Sequence, residues 1–541
     1  MSDSEQQMNS SDAAAGKGLE VLLQVAGPDL YRQNAFRVAE LPVDATARDL
    51  ARRQQMVEMA HEAGLPVPPG PGRALPLEDG GNSSALAEAM QRLRDPEQRL
   101  VDEFFWFWPH ILRHSHDDPA LAALARGDAR AASDLWLELE RSASEANVSM
   151  HNLAVLAHVT ALDLECAART RPLSEREQRQ RDAAWSQAYR RWRGLIDYEG
   201  FWSRLTARIR DLDDPRLPTG TARRLQATLP LALLSINAQL AAAAAQRGDA
   251  ADAKRQLQTM EQSGLERSAI DEALRRTVEP LRGRLKTICK SSDAEGDADP
   301  PHANQAARRV MEQARPILAV ADSLLPAGHP VRDGMHDEVA LTALSCQITY
   351  GARTDDWKDS LALLEMALPI AAGGAARARI EENIAIVKRN LQASTCWFCG
   401  QARADDAAAV EVKMYGEVTR TPTFVNGSFG TRLQWRQGTI KVPRCAGCKA
   451  LHQRSSNTMA VALGIVGAIV GAVLSLATAQ GVCVIGGLFI GACIGAAVGE
   501  NIDKNRFKLP QGVKAQTDVD GYPAIADLKK KGWQLGEKPT A

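Results

Sequence analysis

The sequence predicts a mainly α-helical chain with a small β module and an apolar helical hairpin near its C-terminus. Three observations predict this class. Apolar and alanine residues recur at helical spacing through most of the chain before Thr395, and two Cys-x-x-Cys pairs then enclose strand-like text. After the second pair, Met459–Val498 contains no Asp, Glu, Lys or Arg. Aromatic residues make up only 5% of the chain, which favours helices packed on small side chains over β-sandwiches.

Composition limits the class of protein and its partners. The chain has 541 residues, of which 45% are hydrophobic and 24% charged, as expected of several globular domains. Its 65 Lys and Arg residues nearly balance 66 Asp and Glu, and a net charge of −1 argues against nucleic acid as the main partner. Four of nine cysteines fall in the two pairs, which indicates a reducing compartment and metal binding rather than disulfides.

The N-terminal 28 residues are expected to be a disordered leader. Met1–Gly18 is polar and Ser-rich, and it has neither the basic start nor the apolar stretch of a secretory signal. We therefore expect the N-terminal part of the protein to face the cytoplasm.

Residues 29–116 predict a small helical module. Leu30–Val38 has the pattern of a short helix, and Thr46 is a candidate cap for a second helix through Met59. A loop with five prolines follows over 65–84, and Ala85–Phe107 then shows helical spacing.

Two groups of residues at the end of this module stand out. Phe104–Trp108 is a run of five aromatic residues, so most of them must be buried, and we expect them where the module meets the next helical block. The nearby residues His110, His114, His116 and Asp117 offer metal-ligand types, but a solvated turn is the favoured interpretation.

Parts of this module resemble a DnaJ-type J domain. Tyr31, LPVDATARDL at Leu41–Leu50 and AMQRLRDPEQRLVDEF at Ala89–Phe104 are similar to its first two helices and its third helix. The resemblance covers less than a fifth of the chain and implies a helical hairpin with a further helix. J domains stimulate the ATPase of the chaperone Hsp70 through a His-Pro-Asp tripeptide in the loop after the second helix. That loop here reads GLPVPPGPGRALPLEDGG, so the sequence predicts a degenerate J-like docking module.

Two helical blocks follow, at 117–290 and 305–393. A helix–turn–helix sequence pattern recurs around Gly127-Asp128 and Gly248-Asp249, and more loosely around Asp355-Asp356. These units resemble tetratricopeptide-type repeats, which implies a solenoid with a concave binding surface. An irregular helical bundle built from the same hairpins is the alternative. The acidic, Pro-containing stretch at 291–304 is predicted to be the linker between the blocks.

The most specific motif predicts a structural zinc site in a ribbon at 394–457. Its ligands would be Cys396, Cys399, Cys445 and Cys448, because two Cys-x-x-Cys knuckles complete a tetrahedral four-sulfur site. Strand-like text near 410–418 and 432–443 would form the hairpin between them. A redox motif is the alternative, but the thioredoxin-like βαβ setting is missing. Four thiolates leave no open position for water, so catalytic zinc is not expected.

Residues 458–499 predict a two-helix transmembrane hairpin with its turn at Ala479-Gln480-Gly481. Thr458–Ala479 and Val482–Val498 are each long enough to cross a bilayer core. Basic residues flank the outer ends of both segments, and the turn between them has none. We therefore expect a hairpin in the inner membrane with both termini in the cytoplasm. A buried hairpin in a folded core is the alternative. Glycine and alanine recur at every fourth position, which favours close packing within the hairpin and leaves oligomerisation open. The tail at 500–541 contains a basic amphipathic helix at Tyr522–Trp533, suited to anionic headgroups.

No catalytic or cofactor-binding residues are predicted. The sequence has no phosphate-binding loop, nucleophile elbow or kinase signature, so we expect a protein that is not an enzyme. The features together predict a membrane-anchored cytoplasmic adaptor or scaffold that binds protein partners. Two alternatives stay open: an Hsp70 co-chaperone recruited to the membrane, and a membrane-perturbing effector whose glycine-rich hairpin oligomerises.

Overall fold

The structure is a computed structural model that describes residues 20–65, 67–77, 83–112, 114–142, 146–425, 428–454 and 509–539, with Ile465, Ile469 and Val473. Residues 1–19 of the predicted leader and, apart from these three residues, the predicted transmembrane hairpin lie outside the described residues. The prediction of disorder is wrong for the rest of the leader, because residues 20–25 are helical and the apolar side chains of Leu22 and Ala26 are buried. The fold is mainly helical with one three-stranded antiparallel sheet, as predicted. The chain divides into two compact units, one of residues 1–292, 309–342 and 371–373, the other of residues 293–308, 343–370 and 374–541.

Most of the described chain before the sheet is helical. Residues 20–25 and 446–454 are also helical. The labelled helices are α1 Ala35–Ala39, α2 Ala47–Glu62, α3 Ser83–Arg94, α4 Pro96–Phe104, α5 Pro119–Ala125, α6 Ala129–Leu139, α7 Ala146–Thr170, α8 Glu175–Ile196, α9 Glu199–Leu212, α10 Thr221–Gln246, α11 Ala250–Glu261, α12 Arg267–Ala298, α13 Ala303–Leu324, α14 Pro330–Thr354, α15 Trp357–Ala367, α16 Gly374–Ser394 and, after the sheet, α17 Pro523–Lys530.

The N-terminal module keeps the predicted order of helices with two changes. Thr46 caps α2 in a reciprocal capping box with Asp49, so the predicted start is confirmed. The first helix is shorter than predicted because the Asn34 side chain caps the chain four residues later than Leu30. The single helix predicted over 85–107 is two helices, since Asp95 caps a new one with Pro96 in its first turn.

The three predicted Gly-Asp-type turns share one geometry. Gly127, Gly248 and Asp355 have φ of 80°, 78° and 54°, in the left-handed region that ends a helix. The aspartate after each one caps the next helix through its side chain. The short turns therefore join α5 to α6, α10 to α11 and α14 to α15, while a regular solenoid is not shown.

The first half of the predicted acidic linker is helical. Residues 291–298 form the last turns of α12, and only Pro300-Pro301 interrupts the helix before α13 starts at Ala303. Ser292 is buried, and a Cβ on Gly296 would lie 3.3 Å from the Cys346 sulfur, so tertiary packing holds this polar stretch in a helix.

One described helix is long and apolar enough to cross a membrane by length and composition. This is α10, with a mean hydropathy of 1.4, but 72% of its apolar window is buried inside the fold. Leu229, Leu233 and Ile236 on this helix are all less than 2% exposed, as in the core helix of a folded domain.

The sheet has the order β2-β1-β3. Strand β1, Val410–Val425, pairs antiparallel with β2, Ser428–Val442, which confirms the predicted hairpin and extends it. A bulge interrupts the pairing after Gly416, where Glu417 has a φ of 52°. Strand β3, Gln534–Leu535, pairs with Met414 and Tyr415 of β1.

Candidate metal centre

The sheet hairpin brings the two Cys-x-x-Cys pairs together. The pairs lie just before β1 and just after β2, and the antiparallel pairing of Val410 with Val442 closes the 45-residue gap between them. The sulfur atoms of Cys396, Cys399, Cys445 and Cys448 all lie within 4.8 Å of one another. A tetrahedral ion with bonds of about 2.3 Å to sulfur separates its ligands by about 3.8 Å, so the cluster could bind a metal ion.

Local backbone geometry holds each pair as a knuckle. In the first, the amide of Gly400 donates to the Cys396 carbonyl at 2.8 Å, and Gly400 has a φ of 67°. In the second, the amide of Cys448 points at the Cys445 sulfur at 3.3 Å. Cys448 also lies in the first turn of helix 446–454, whose N-terminal dipole favours a thiolate.

Ionisation of all four cysteines requires a neutralising cation. Burial raises the pKa of Cys396 and of Cys448. Burial acts in the same direction on Cys399, but backbone amides of Ala402 and Gln401 lower its pKa to about 7. Four thiolates this close repel one another, so all four can ionise together only when a metal ion neutralises them.

A buried arginine supplies further positive charge beside the sulfurs. Arg444 is 7% exposed, and its Nε donates to the Ala408 carbonyl at 2.6 Å. Its charge favours ionisation of the neighbouring Cys396. A metal ion of charge +2 with four thiolates carries a net charge of −2, and the Arg444 guanidinium is placed to offset part of it.

His452 is committed to other contacts. Its Nε2 lies 3.0 Å from the Lys514 carbonyl, its Nδ1 lies 3.4 Å from Arg444 Nη1, and its ring packs edge-on against Phe398. Burial lowers its pKa, so it is neutral near pH 7. Its contacts fit a packing role beside the cluster.

The C-terminal segment completes the module that holds the cluster, which sequence reasoning missed. The hydrophobic core around Cys396, Cys448 and Met414 also contains Val519 and Ile525 from residues 509–539. Trp397 Nε1 donates to the Asp518 carbonyl at 2.8 Å, and Lys514 Nζ lies 3.2 Å from the centre of the Trp397 ring. We call residues 394–454 and 509–539 together the ribbon module.

This arrangement corrects the predicted basic tail. Trp533, expected among headgroups, packs on the sheet where Gly416 and Gly438 leave room: a Cβ on Gly416 would lie 2.5 Å from the indole. Ile525 of α17 is fully buried in the same core. The sequence signal for this contact was the pair of glycines within the strand-like sequence, because glycines inside strands often mark the close approach of another group.

The other predicted features take structural roles or stay on the surface. Phe104–Trp108 are all 2% exposed or less, which confirms their burial. Phe104 stacks on Trp192 and Trp202 with ring centroids 5.6 and 5.9 Å apart. His114 and His116 have side chains 60% and 76% exposed, as expected of a solvated turn.

Comparison with known proteins gives no family. The chain matches no protein-family model, no curated protein and no solved structure. The J-like and tetratricopeptide-like resemblances therefore remain predictions.

Proposed function

We propose that this protein is a non-enzymatic adaptor, anchored in the inner membrane by residues 458–499, whose cytoplasmic helices bind protein partners. A structural zinc ion held by Cys396, Cys399, Cys445 and Cys448 would stabilise the ribbon module at the base of the anchor. The donor set supports the zinc assignment, since four thiolates with sulfurs within 4.8 Å of one another suit a tetrahedral Zn²⁺ ion.

One observation carries the proposal: the ribbon module is built from the segments on both sides of the apolar stretch. His452 and Lys514 are 62 positions apart, yet the His452 ring nitrogen lies 3.0 Å from the Lys514 carbonyl. The chain thus leaves and re-enters the same folded module. A segment that starts and ends on one module must cross a bilayer an even number of times, which supports a two-helix hairpin.

The described residues inside the apolar stretch support the anchor. Ile465, Ile469 and Val473 are helical and 56%, 58% and 61% exposed. In helical geometry a spacing of four residues places side chains on one side. Large apolar side chains in a row on a helix surface are suited to lipid contact.

The topology is tested by labelling single introduced cysteines in intact cells with a membrane-impermeant maleimide. We expect Thr439→Cys and Gln511→Cys, both exposed on the ribbon module, to be labelled only after the cells are permeabilised. Gln480→Cys, in the predicted turn, should be labelled from outside. The unsubstituted chain gives the background from its own cysteines.

Two outcomes would contradict the proposal. Labelling of Thr439→Cys and Gln511→Cys from opposite sides would mean that the apolar stretch crosses the membrane once and that the two halves of the ribbon module are separated. Recovery of the unsubstituted protein in the supernatant after carbonate washing of membranes would mean that there is no anchor.

The loop that replaces His-Pro-Asp bears on the co-chaperone alternative. Arg53 Nη1 donates to the Pro68 carbonyl at 2.6 Å, and the Gly70 amide donates to Glu40 Oε2 at 2.6 Å. Gly72 lies so close to Leu41 that a Cβ would be 2.1 Å from the Leu41 carbonyl carbon. The loop is therefore held against the start of the module, a feature that supports a docking role without Hsp70 activation.

We expect the purified chain to leave the steady-state ATPase rate of the host Hsp70 unchanged. The reason is that the loop after α2 lacks His-Pro-Asp and is bonded to Glu40 and Arg53. A J domain that has the tripeptide serves as the positive control in the same assay. Clear stimulation by the chain would instead support the co-chaperone alternative.

A further inference from the structure

Three helices of the first unit form an open trough. Helices α6 and α8 lie on either side of α7 and leave a cavity of about 610 Å³ between them. Its wall on α8 runs from Gln180 to Gly194, about 21 Å at 1.5 Å per residue. That length matches about four turns of another helix.

The floor of the trough is apolar and its walls are partly lined by small residues. Leu153 of α7 forms the floor with Met150, and Leu137 of α6 is 37% exposed beside them. Ala183 and Gly194 on the α8 wall carry little or no side chain. Small residues at these places let a helix approach closely, as in ridges-into-grooves packing.

The charge lining the trough has one sign. The described residues that line it include three arginines and no carboxylate. Arg191 is paired with Glu140, with Nη1 and Oε1 2.5 Å apart. Arg130 and Arg190 are exposed and form no ion pair with any described residue. An occupant that fits this rim carries acidic groups.

We propose that the α6–α8 trough binds an acidic amphipathic helix of a partner protein. The occupant's apolar face would contact Leu153 and Leu137, and its flanking carboxylates would pair with Arg130 and Arg190. The proposal rests on the proposed adaptor function and names the chemistry of the partner.

The shape of the trough favours a helix over other ligands. Gln180, Ala183, Gln187 and Arg190 on its wall are exposed to solvent, whereas small-molecule sites enclose most of their ligand. The trough is walled by helices, which offer no free strand edge to an extended peptide. An apolar floor between helices, with small residues on one wall, is suited to an amphipathic helix laid into the groove.

The test uses two displayed libraries of 16-residue peptides against the full chain in nanodiscs. Both have random apolar residues at helical positions i, i+3, i+4 and i+7, flanked by Glu and Asp in one library and by Lys and Arg in the other. We expect enrichment from the acidic library alone. The affinity of the best peptide should fall at least tenfold in the Arg130→Glu, Arg190→Glu double variant and in Ala183→Trp, which fills the trough without a change of charge.

Matched controls lie on the same helices or next to them. The double variant Arg126→Glu, Arg176→Glu makes the same charge change outside the trough, and Ser186→Trp adds an indole to an exposed position of α8 that does not line it. Both should keep the affinity within twofold.

The proposal is wrong if neither library is enriched, if both are enriched equally, or if the controls lose binding as strongly as the trough variants. It is also wrong if a photocrosslinker at Gln187 reaches residues 1–19 or a second copy of this chain. The trough variants should stay in the membrane fraction in every case. A negative peptide-binding result would therefore not affect the test of membrane anchoring.

Discussion

The Cys445→Ser variant is expected to lose its metal and to open the ribbon module. A structural zinc ion contributes about 10–16 kcal/mol of apparent binding free energy, which is coupled directly to folding. Because Val519 and Ile525 share a core with Cys396 and Cys448, loss of the metal should also release residues 509–539. The unsubstituted chain, purified without chelator, should contain about one zinc per chain by elemental analysis, and the variant none.

Limited proteolysis with mass spectrometry reports the structural consequence. Cleavage within residues 509–539 should be slow in the unsubstituted chain and fast in Cys445→Ser or after chelation. Cys166→Ala, which removes a cysteine of another helix far along the chain, is the control and should keep both metal and protection. Unsubstituted protein without zinc, or a Cys445→Ser variant that retains it, would contradict the assignment; iron in its place would correct the metal alone.

Phe104→Ala is expected to destabilise the first unit strongly. Phe104 is 1% exposed and stacks on Trp192 and Trp202. Truncation of a buried phenylalanine removes its burial and leaves a cavity, at a cost of about 3–5 kcal/mol. Chemical denaturation followed by tryptophan fluorescence should show the loss as a lower transition midpoint.

The matched control is Ile111→Ala, seven residues away and 60% exposed, which should change the free energy of unfolding by less than about 0.5 kcal/mol. A Phe104→Ala midpoint close to that of Ile111→Ala would show that the aromatic cluster does not hold the N-terminal module to the following helices.

Helix positions were largely readable from the sequence because their signals are local. Thr46 with Asp49 makes a capping box within four residues, and each Gly-Asp turn ends one helix and caps the next. The helix through residues 291–298 was not predicted because its polar composition is typical of a linker. This helix packs at Gly296 against Cys346, about fifty positions further along the chain. A contact at that distance in sequence cannot be read from a short stretch of neighbouring residues.

By itself the sequence identified the four cysteines of the candidate metal centre, since two Cys-x-x-Cys pairs on either side of strand-like sequence are typical of a four-sulfur site. Only the tertiary structure decided that residues 509–539 belong to the same module as these cysteines. The physical reason is that the contacts of Trp397 with Asp518 and of His452 with Lys514 join residues 121 and 62 positions apart, across the whole apolar stretch. The trough between α6 and α8 also depends on tertiary structure. Its apolar floor and its arginines come from three helices, and the hydrophobic periodicity of each helix does not predict how the three pack together.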